Sequence, residues 1–363
     1  MKVVVGMSGG VDSAVSAYLL KQEGYEVVGL FMKNWDSNIN NDKEGITDGV
    51  CPQELDYRDA KAVCDELCIP LYRVDFIKEY WDDVFKYFLD ELEKGRTPNP
   101  DIMCNKYIKF DLFKKEAKRL GADKIATGHY ARIKGNRLLR GVDNNKDQTY
   151  FLSQLSKEQL KDVLFPIGDL DKSKVREIAT QYDLITAKKK DSTGICFIGE
   201  RNFTKFLENY LPNQPGDIID IDTMNKIGEH IGLMYYTIGQ RRGLNIGGTK
   251  ERMFVVGKDL NKNILYISYG ENDYLISDAC IIDQVNFNTD MRPTICTAKF
   301  RYRQPDNEVT LEYLENGEIK VHYPQGVKSV TPGQACVLYL GEQCLGGGII
   351  KEVQKDGKKF WYL

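Results

Sequence analysis

Three places in this sequence carry residue types and spacings suited to chemistry. One is the run Ser8-Gly9-Gly10-Val11-Asp12-Ser13; the others are Cys104 and Cys196, each in a polar stretch punctuated by glycine or proline. Adjacent glycines let backbone N–H groups come close to an anion, and the helix that follows adds the positive end of its dipole. Gly6 and Met7 lead into this loop from an apolar run, and Ser8 and Ser13 add hydroxyl donors. Asp12 can orient the loop or help hold a magnesium ion that arrives with a nucleotide. No Lys-Ser/Thr pair follows the glycines, so the loop is not of the Walker A type. The bland alternative is a tight strand-to-helix turn with a capping serine, but the strand–loop–helix context favours phosphate.

Cys104 closes the segment Gly95-Arg-Thr-Pro-Asn-Pro-Asp101-Ile-Met-Cys104. Its two prolines and the Asn-Pro-Asp tripeptide predict an ordered loop rather than a regular helix. Cys196 follows Lys188-Lys-Lys-Asp-Ser-Thr-Gly194-Ile, and three lysines favour a thiolate if the fold brings them near. Asp101 sits three residues before Cys104, where a proton-shuttling carboxylate and a turn-capping aspartate fit the spacing equally well. The remaining cysteines, Cys64 on a helical apolar stripe among them, read as small buried hydrophobes. Nine cysteines without a C-x-x-C, beside only three histidines (His129, His230, His322), argue against a zinc site or an iron–sulfur cluster.

The elements that must position these residues follow from hydrophobic periodicity. Short apolar runs at 3–5, 26–32, 71–76 and 124–128 alternate with helical patterns, predicting an α/β domain with a doubly wound parallel sheet over residues 1–211. Pro212-Asn-Gln-Pro-Gly216 breaks the texture, and residues 212–275, rich in glycine, read as a small loop-heavy central domain. From 276 to 363 strand follows strand, with Asn316-Gly317 as a hairpin signal, predicting a C-terminal β-barrel.

Composition narrows the class of protein. The chain has 363 residues, 50 Lys plus Arg against 53 Asp plus Glu, and a formal net charge of -3. A nucleic-acid partner must therefore be met by a local basic face rather than a basic coat. Between Lys124 and Lys146 there are six basic residues and one acid, and Arg241-Arg242 and Arg301-Tyr302-Arg303 add further basic points. Arg301-Tyr302, placed in a barrel strand, suits stacking on unpaired bases. No apolar run approaches the length of a membrane span, so no membrane partner is expected and the reduced thiols point to the cytoplasm.

The loop resembles the PP-loop of ATP pyrophosphatases. Together with GRTPNPDIMCNKYIKF, ATGHYAR, NKDQTYFL, AKKKDSTGICFIGERNF, GLMYYTIGQRRGL and TPGQ, it makes the chain similar to the bacterial tRNA-specific 2-thiouridylases from residue 1 to about residue 350. The resemblance implies an enzyme that adenylates the C2 oxygen of the wobble uridine and replaces it with sulfur from a cysteine persulfide, releasing AMP and pyrophosphate. By that resemblance ATP, with Mg2+, lies on Gly6 to Ser13, with Met32 beside adenine and Gly128 a second backbone approach. Cys196 carries the persulfide, Cys104 resolves it by disulfide formation or by freeing hydrosulfide, and Asp101 serves the proton. Asn99, Pro100, Asp101, His129, Lys146, Asp147, Gln148, Arg301, Tyr302 and Gln334 contact tRNA. A persulfide sulfur donor, a cysteine desulfurase or a relay protein, is the implied second partner. Two other readings remain compatible with the PP-loop alone: a ligase or amidating synthetase for a small metabolite, and an RNA-binding protein whose loop senses nucleotide.

Overall fold

The computed structural model describes all residues except 43–50, 192–193, 197, 200–201, 245, 247–251 and 271–272. The apolar run at the start becomes β1 (Lys2–Met7), the middle of a parallel sheet with β2 (Glu26–Lys33), β3 (Leu71–Asp75), β4 (Lys124–Ala126) and, past an antiparallel hairpin β5 (Ala131–Lys134) and β6 (Arg137–Arg140), β7 (Val163–Leu164). The order is β3-β2-β1-β4-β7. Both faces of this sheet are covered, which is why β1 reads as continuous valine rather than as an alternation. Val4, Val28 and Leu30 enter one core, while Val3, Val5, Val27 and Phe31 enter the other. Each such side chain contributes roughly 2 kcal/mol by burial. Order reverses between β1 and β4, so the crevice for a ligand opens at their carboxyl ends.

The helices 77–93 and 100–119 each contain a π-helical stretch, Trp81–Phe85 and Cys104–Leu112. The expected loop at Cys104 is therefore a helix. Asn99 is its N-cap, its side chain accepting from the Asp101 N–H, and Pro100 occupies the first turn, where a proline's missing N–H costs nothing. The tripeptide is a helix start rather than a break.

The central unit holds four strands: β8 (Gly216–Asp220), β9 (Lys226–His230), β10 (Met253–Asp259) and β11 (Ile264–Tyr269), in the order β10-β11-β8-β9. It is more ordered than its glycine content predicted. Several glycines, such as Gly232, Gly239 and Gly243, serve the connecting turns at positive φ. Gly247 and Gly248 lie outside the described residues.

The C-terminal unit is a closed barrel of β12 (Ile276–Phe287), β13 (Ile295–Lys299), β14 (Asn307–Tyr313), β15 (Ile319–Lys328), β16 (Ala335–Leu340) and β17 (Gln343–Lys355), closed by pairing of β12 with β17. The Asn316-Gly317 turn joins β14 to β15, with Gly317 at φ +82. The hairpin β5–β6 of the first domain reaches this barrel through Leu139 and Gln343. Arg301 and Tyr302 lie in the turn after β13 rather than in a strand. The Gln304 side chain accepts the Phe300 N–H, and the Gln304 N–H bonds back to the Arg301 carbonyl, closing the turn before Pro305. Among the described residues no helix is long and apolar enough to cross a membrane.

Candidate active site

At the carboxyl end of β1 the chain turns over Ser8-Gly9-Gly10 into the helix Val11–Gln22. Gly10 is the N-cap and no side chain caps the first turn, which leaves its N–H groups open to an anion. The Ser13 hydroxyl donates to the Gly10 carbonyl at 3.0 Å and accepts from the Ser8 N–H at 3.2 Å, so the loop is tied to itself. Gly9 sits at φ +72, and a Cβ there would lie 2.3 Å from the Asp56 carbonyl oxygen. Opposite, at the end of β4, a Cβ on Gly128 would lie 2.9 Å from the Asp12 carbonyl carbon. Both glycines are needed because backbone packs on backbone.

The cleft beneath the loop has a volume of about 370 Å³. Its walls include Gly6 to Ser8, Gly10 to Ser13, Met32, Gly128, His129, Lys146, Gln148, Asp101, Lys109 and Cys196. The glycine loop and Cys196 thus line one cavity. Asp12 accepts from the Tyr130 hydroxyl at 2.8 Å and from Lys172 at 2.7 Å. Lys172 also pairs with Asp191 at 2.8 Å, and Asp191 takes Lys146 at 2.7 Å and Arg176 at 2.6 Å. Burial works against the Asp191 charge, but the hydrogen bonds from Lys146 and Lys172 outweigh it and hold its carboxyl far below the ordinary range. This chain of charges links the phosphate loop to the segment carrying Cys196.

The thiols, 92 residues apart in sequence, meet here. The Cys104 S–H donates to the Cys196 sulfur at 3.7 Å, and the Cys196 N–H donates to Asp101 Oδ1 at 2.9 Å. The Tyr80 hydroxyl donates to the Cys196 carbonyl at 2.8 Å. Cys104 is buried and its thiol is pushed well up, by burial first and then by its bond and charge coupling to Cys196. Cys196 is pulled below the ordinary thiol value by the Cys104 hydrogen bond, with Lys109 assisting against burial. Two thiolates at such a separation repel by about 4 kcal/mol at an effective dielectric of about 20, so only one ionises at a time. Burial raises the Asp101 carboxyl, although the Cys196 N–H and Lys109 pull the other way.

The structure gathers most of the sequence candidates into this cleft and leaves others outside it. His129 is buried, its Nδ1 2.7 Å from the Thr127 hydroxyl, and burial with Lys109 nearby keeps its ring neutral. Asp147 is buried and accepts from the Gly141 and Thr149 N–H groups and the Thr149 hydroxyl. Asn99 and Pro100 start the Cys104 helix. Gln148 accepts the Tyr130 N–H. Arg301 donates to the Ile238 carbonyl and the Thr331 hydroxyl, and the Tyr302 ring sits 4.5 Å from that of Phe151. Gln334 donates to the Thr97 carbonyl at 2.6 Å.

Reading the sequence missed Lys109, Lys172, Asp191 and Tyr80. Lys109 had a local signal that only the structure reveals. It follows Cys104 by five residues, and a π-helical turn, closing on the fifth residue, puts both on one side.

Three families of domain match the chain: tRNA methyl transferase HUP domain over residues 1–200, tRNA methyl transferase PRC-barrel domain over 204–269 and aminomethyltransferase beta-barrel domain over 277–350. The tRNA-specific 2-thiouridylase of Bacillus velezensis is 57% identical over 371 residues, spanning 100% of this chain and 98% of that protein. That of Mycoplasmopsis synoviae is 56% identical over 367 residues, spanning 99% and 98%. Among solved structures, a 4-thiouridine synthetase in complex with RNA and ATP aligns with 55% of this chain and 46% of its own at 16% identity, with a TM-score of 0.33. With more than half of its residues identical to such relatives from end to end, the chain belongs to the family of tRNA-specific 2-thiouridylases.

Proposed function

We propose that this chain, a tRNA sulfurtransferase by family, makes 2-thiouridine at the wobble position by adenylating the C2 oxygen and displacing AMP with persulfide sulfur. The observation that carries the proposal is the pair of sulfurs 3.7 Å apart, of which Cys196 lines the cleft beneath the glycine loop with Cys104 buried directly behind it.

A uridine carbonyl is a poor site for displacement because its oxygen leaves badly. Esterifying that oxygen to AMP, with pyrophosphate as the other product, supplies a good leaving group. The uncapped helix and the paired glycines are suited to the ATP phosphates, with Met32 at the end of β2 placed for the base. Asp12 is already neutralised by Lys172, and among the described residues no three His, Cys, Asp or Glu side chains converge on a metal position. Magnesium is expected to arrive with the nucleotide, whose phosphates and water would supply most of its ligands.

A persulfide on Cys196 (Cys–S–S⁻) attacks C2 with its outer sulfur, and AMP leaves with the bonding pair. The Cys104 thiolate then attacks the inner sulfur. The Cys104–Cys196 disulfide forms, the inner-to-outer bond breaks, and the outer sulfur keeps its electrons as the thiocarbonyl. In the alternative order Cys104 attacks first and hydrosulfide leaves to attack C2. Both routes need Cys104 to reach the Cys196 sulfur, a shift of under about 2 Å from the present separation. Both end in a disulfide that a two-electron thiol reductant resets. Asn99, Pro100, Asp101, His129, Lys146, Asp147, Gln148, Arg301, Tyr302 and Gln334 are our candidate tRNA contacts, and a persulfide-bearing protein is the proposed donor.

The test is incubation of the full chain with ATP, magnesium, glutathione persulfide as the sulfane-sulfur donor, a thiol reductant and unmodified tRNA, followed by nucleoside mass spectrometry. 2-Thiouridine should form with the wild type and vanish in Cys104→Ser and Cys196→Ser, each still binding ATP. Normal thiolation by either variant would discard the proposal.

A further inference from the structure

Asn105 follows Cys104 directly and is 2% exposed, packed into the wall of the same cleft. Its side-chain amide nitrogen donates to the Phe151 carbonyl at 3.1 Å. A carbonyl oxygen can only accept, so this bond fixes which end of the amide faces Phe151. The other end, Oδ1, is buried, and no donor among the described residues reaches it. Several buried polar atoms of the described residues lack a partner, but Asn105 is the one residue among them that lines the cleft. A buried acceptor without a donor is costly, and folded chains almost always supply one. In the wall of a ligand cleft, the ligand is the source of that donor.

We propose that Asn105 is the residue that selects uridine: its Oδ1 accepts the N3–H of the base whose C2 is brought to Cys196. The proposal rests on the function proposed above and names how the base is chosen. A uracil ring carries a single N–H, at N3, the atom bonded to the reacting C2. Cytosine has a lone pair at that position, and two acceptors face to face repel. An asparagine free to turn its amide over would suit either base. Here the turn is blocked, because it would set the oxygen against the Phe151 carbonyl. One fixed amide therefore rewards uridine and penalises cytidine.

The neighbours of this amide place it with the thiols rather than with the nucleotide loop. Its chain neighbour Cys104 lies 3.7 Å, sulfur to sulfur, from Cys196. Phe151, which holds the amide, also lines the cleft, and its ring sits 4.5 Å from that of Tyr302 in the turn after β13. A base entering between these groups meets an aromatic side chain and an edge-reading acceptor in the same wall, the usual pair of devices for holding an extruded base.

The experiment measures affinity without turnover. The full chain is titrated, with magnesium and a non-hydrolysable ATP analogue present, against three unmodified tRNAs that differ only at the wobble base: uridine, cytidine or 3-methyluridine. The wild type should bind the uridine tRNA roughly 10- to 100-fold more tightly than either of the others. Asn105→Ala should bring the three affinities together to within about threefold while leaving the affinity for the ATP analogue unchanged. A merely structural asparagine would weaken all three tRNAs alike, so a variant that keeps the wild-type preference overturns the proposal. A variant that loses the ATP analogue instead also overturns it, since Oδ1 would then serve the nucleotide. Should Asn105→Ala melt below the assay temperature, the wild type decides: 3-methyluridine tRNA bound within about twofold of uridine tRNA overturns the proposal. Equal affinities alongside normal thiolation would sink the reading of Asn105 and leave the proposed function standing. A uridine preference that Asn105→Ala abolishes, in a chain that makes no 2-thiouridine, would do the reverse.

Discussion

Replacing Gly9 with alanine tests whether the phosphate loop works by backbone proximity. Two penalties act at Gly9 and can be separated. The first is conformational: at φ +72 an L-residue costs about 1 kcal/mol. The second is steric: the new Cβ would lie 2.3 Å from the Asp56 carbonyl oxygen, so the loop and the helix Pro52–Glu66 must part by most of an ångström. Overpacking of this kind costs about 1 to 3 kcal/mol. The loop relieves that overlap by opening, and the opening is what ATP feels. At 1.4 kcal/mol per decade, ATP affinity should fall roughly 10- to 100-fold. Two sibling variants dissect the sum. Gly24→Ala, at φ +83 with nothing within 4 Å of the new methyl, carries the conformational penalty alone and should lose about 1 kcal/mol of stability with ATP binding unchanged. Gly128→Ala, whose Cβ would lie 2.9 Å from the Asp12 carbonyl carbon and 3.0 Å from the Ser13 nitrogen, carries the contact penalty alone and should weaken ATP. Calorimetric titration with ATP, paired with urea unfolding, reads both quantities. If Gly9→Ala binds ATP within about twofold of wild type, or Gly24→Ala weakens it as much, the backbone-proximity argument is wrong.

Two pH-dependent predictions follow from the burial of single charges. Asp101 has its carboxyl raised in the folded state, chiefly by burial, so its ionisation opposes folding once the pH climbs past the ordinary aspartate value. Asp101→Asn, which still accepts the Cys196 N–H, should therefore melt higher than wild type at pH about 7 while losing thiolation, and the stability advantage should vanish as the pH falls to about 4; an advantage that persists in acid would contradict it. Lys258, buried on β10 with its ammonium donating to the Gly95 carbonyl at 2.9 Å, is pushed down by burial to about 7. Its unfolded value lies higher, so stability should rise between about pH 7 and about pH 10 as the unfolded chain loses its preference for the proton, by up to about 4 kcal/mol. Lys258→Met should flatten that rise in urea titrations, and an unchanged slope would refute the assignment.

Much of the fold was legible because it is written in local periodicity. Val3-Val4-Val5 had to be a central strand, since an uninterrupted apolar run is stable only with both faces covered. Asn316-Gly317 had to be a hairpin, since a turn with positive φ needs such residues. Errors arose where one residue type serves two opposite purposes. Asn99-Pro100-Asp101 was read as a break, yet an asparagine cap and a first-turn proline are also the best way to begin a helix. Arg301 and Tyr302 were read as part of a strand, whereas they lie in a turn that directs the Arg301 guanidinium to the Ile238 carbonyl. Of the site, the glycine loop and the two cysteines that meet in it were visible, and Lys109 was not. An α-helical reading sets Lys109 well away from Cys104, and only the π-helical widening turns it round.

The position of Cys104 is not a property of the first domain alone. The stretch just before its helix is gripped from two directions. Lys258 of the central unit donates to Gly95, while the Thr97 N–H donates to the Pro332 carbonyl and Gln334 donates back to Thr97, both in the barrel unit. Gly333 sits so close that a Cβ would meet the Thr97 nitrogen at 2.8 Å. Asn99 then caps the helix that carries Asp101, Cys104 and Lys109. The contacts on Gly95 and Thr97, nine and seven residues before Cys104, thus tie the start of this helix to both the central unit and the barrel. A separation of 3.7 Å is too long for a bond and short enough to be closed by a small shift.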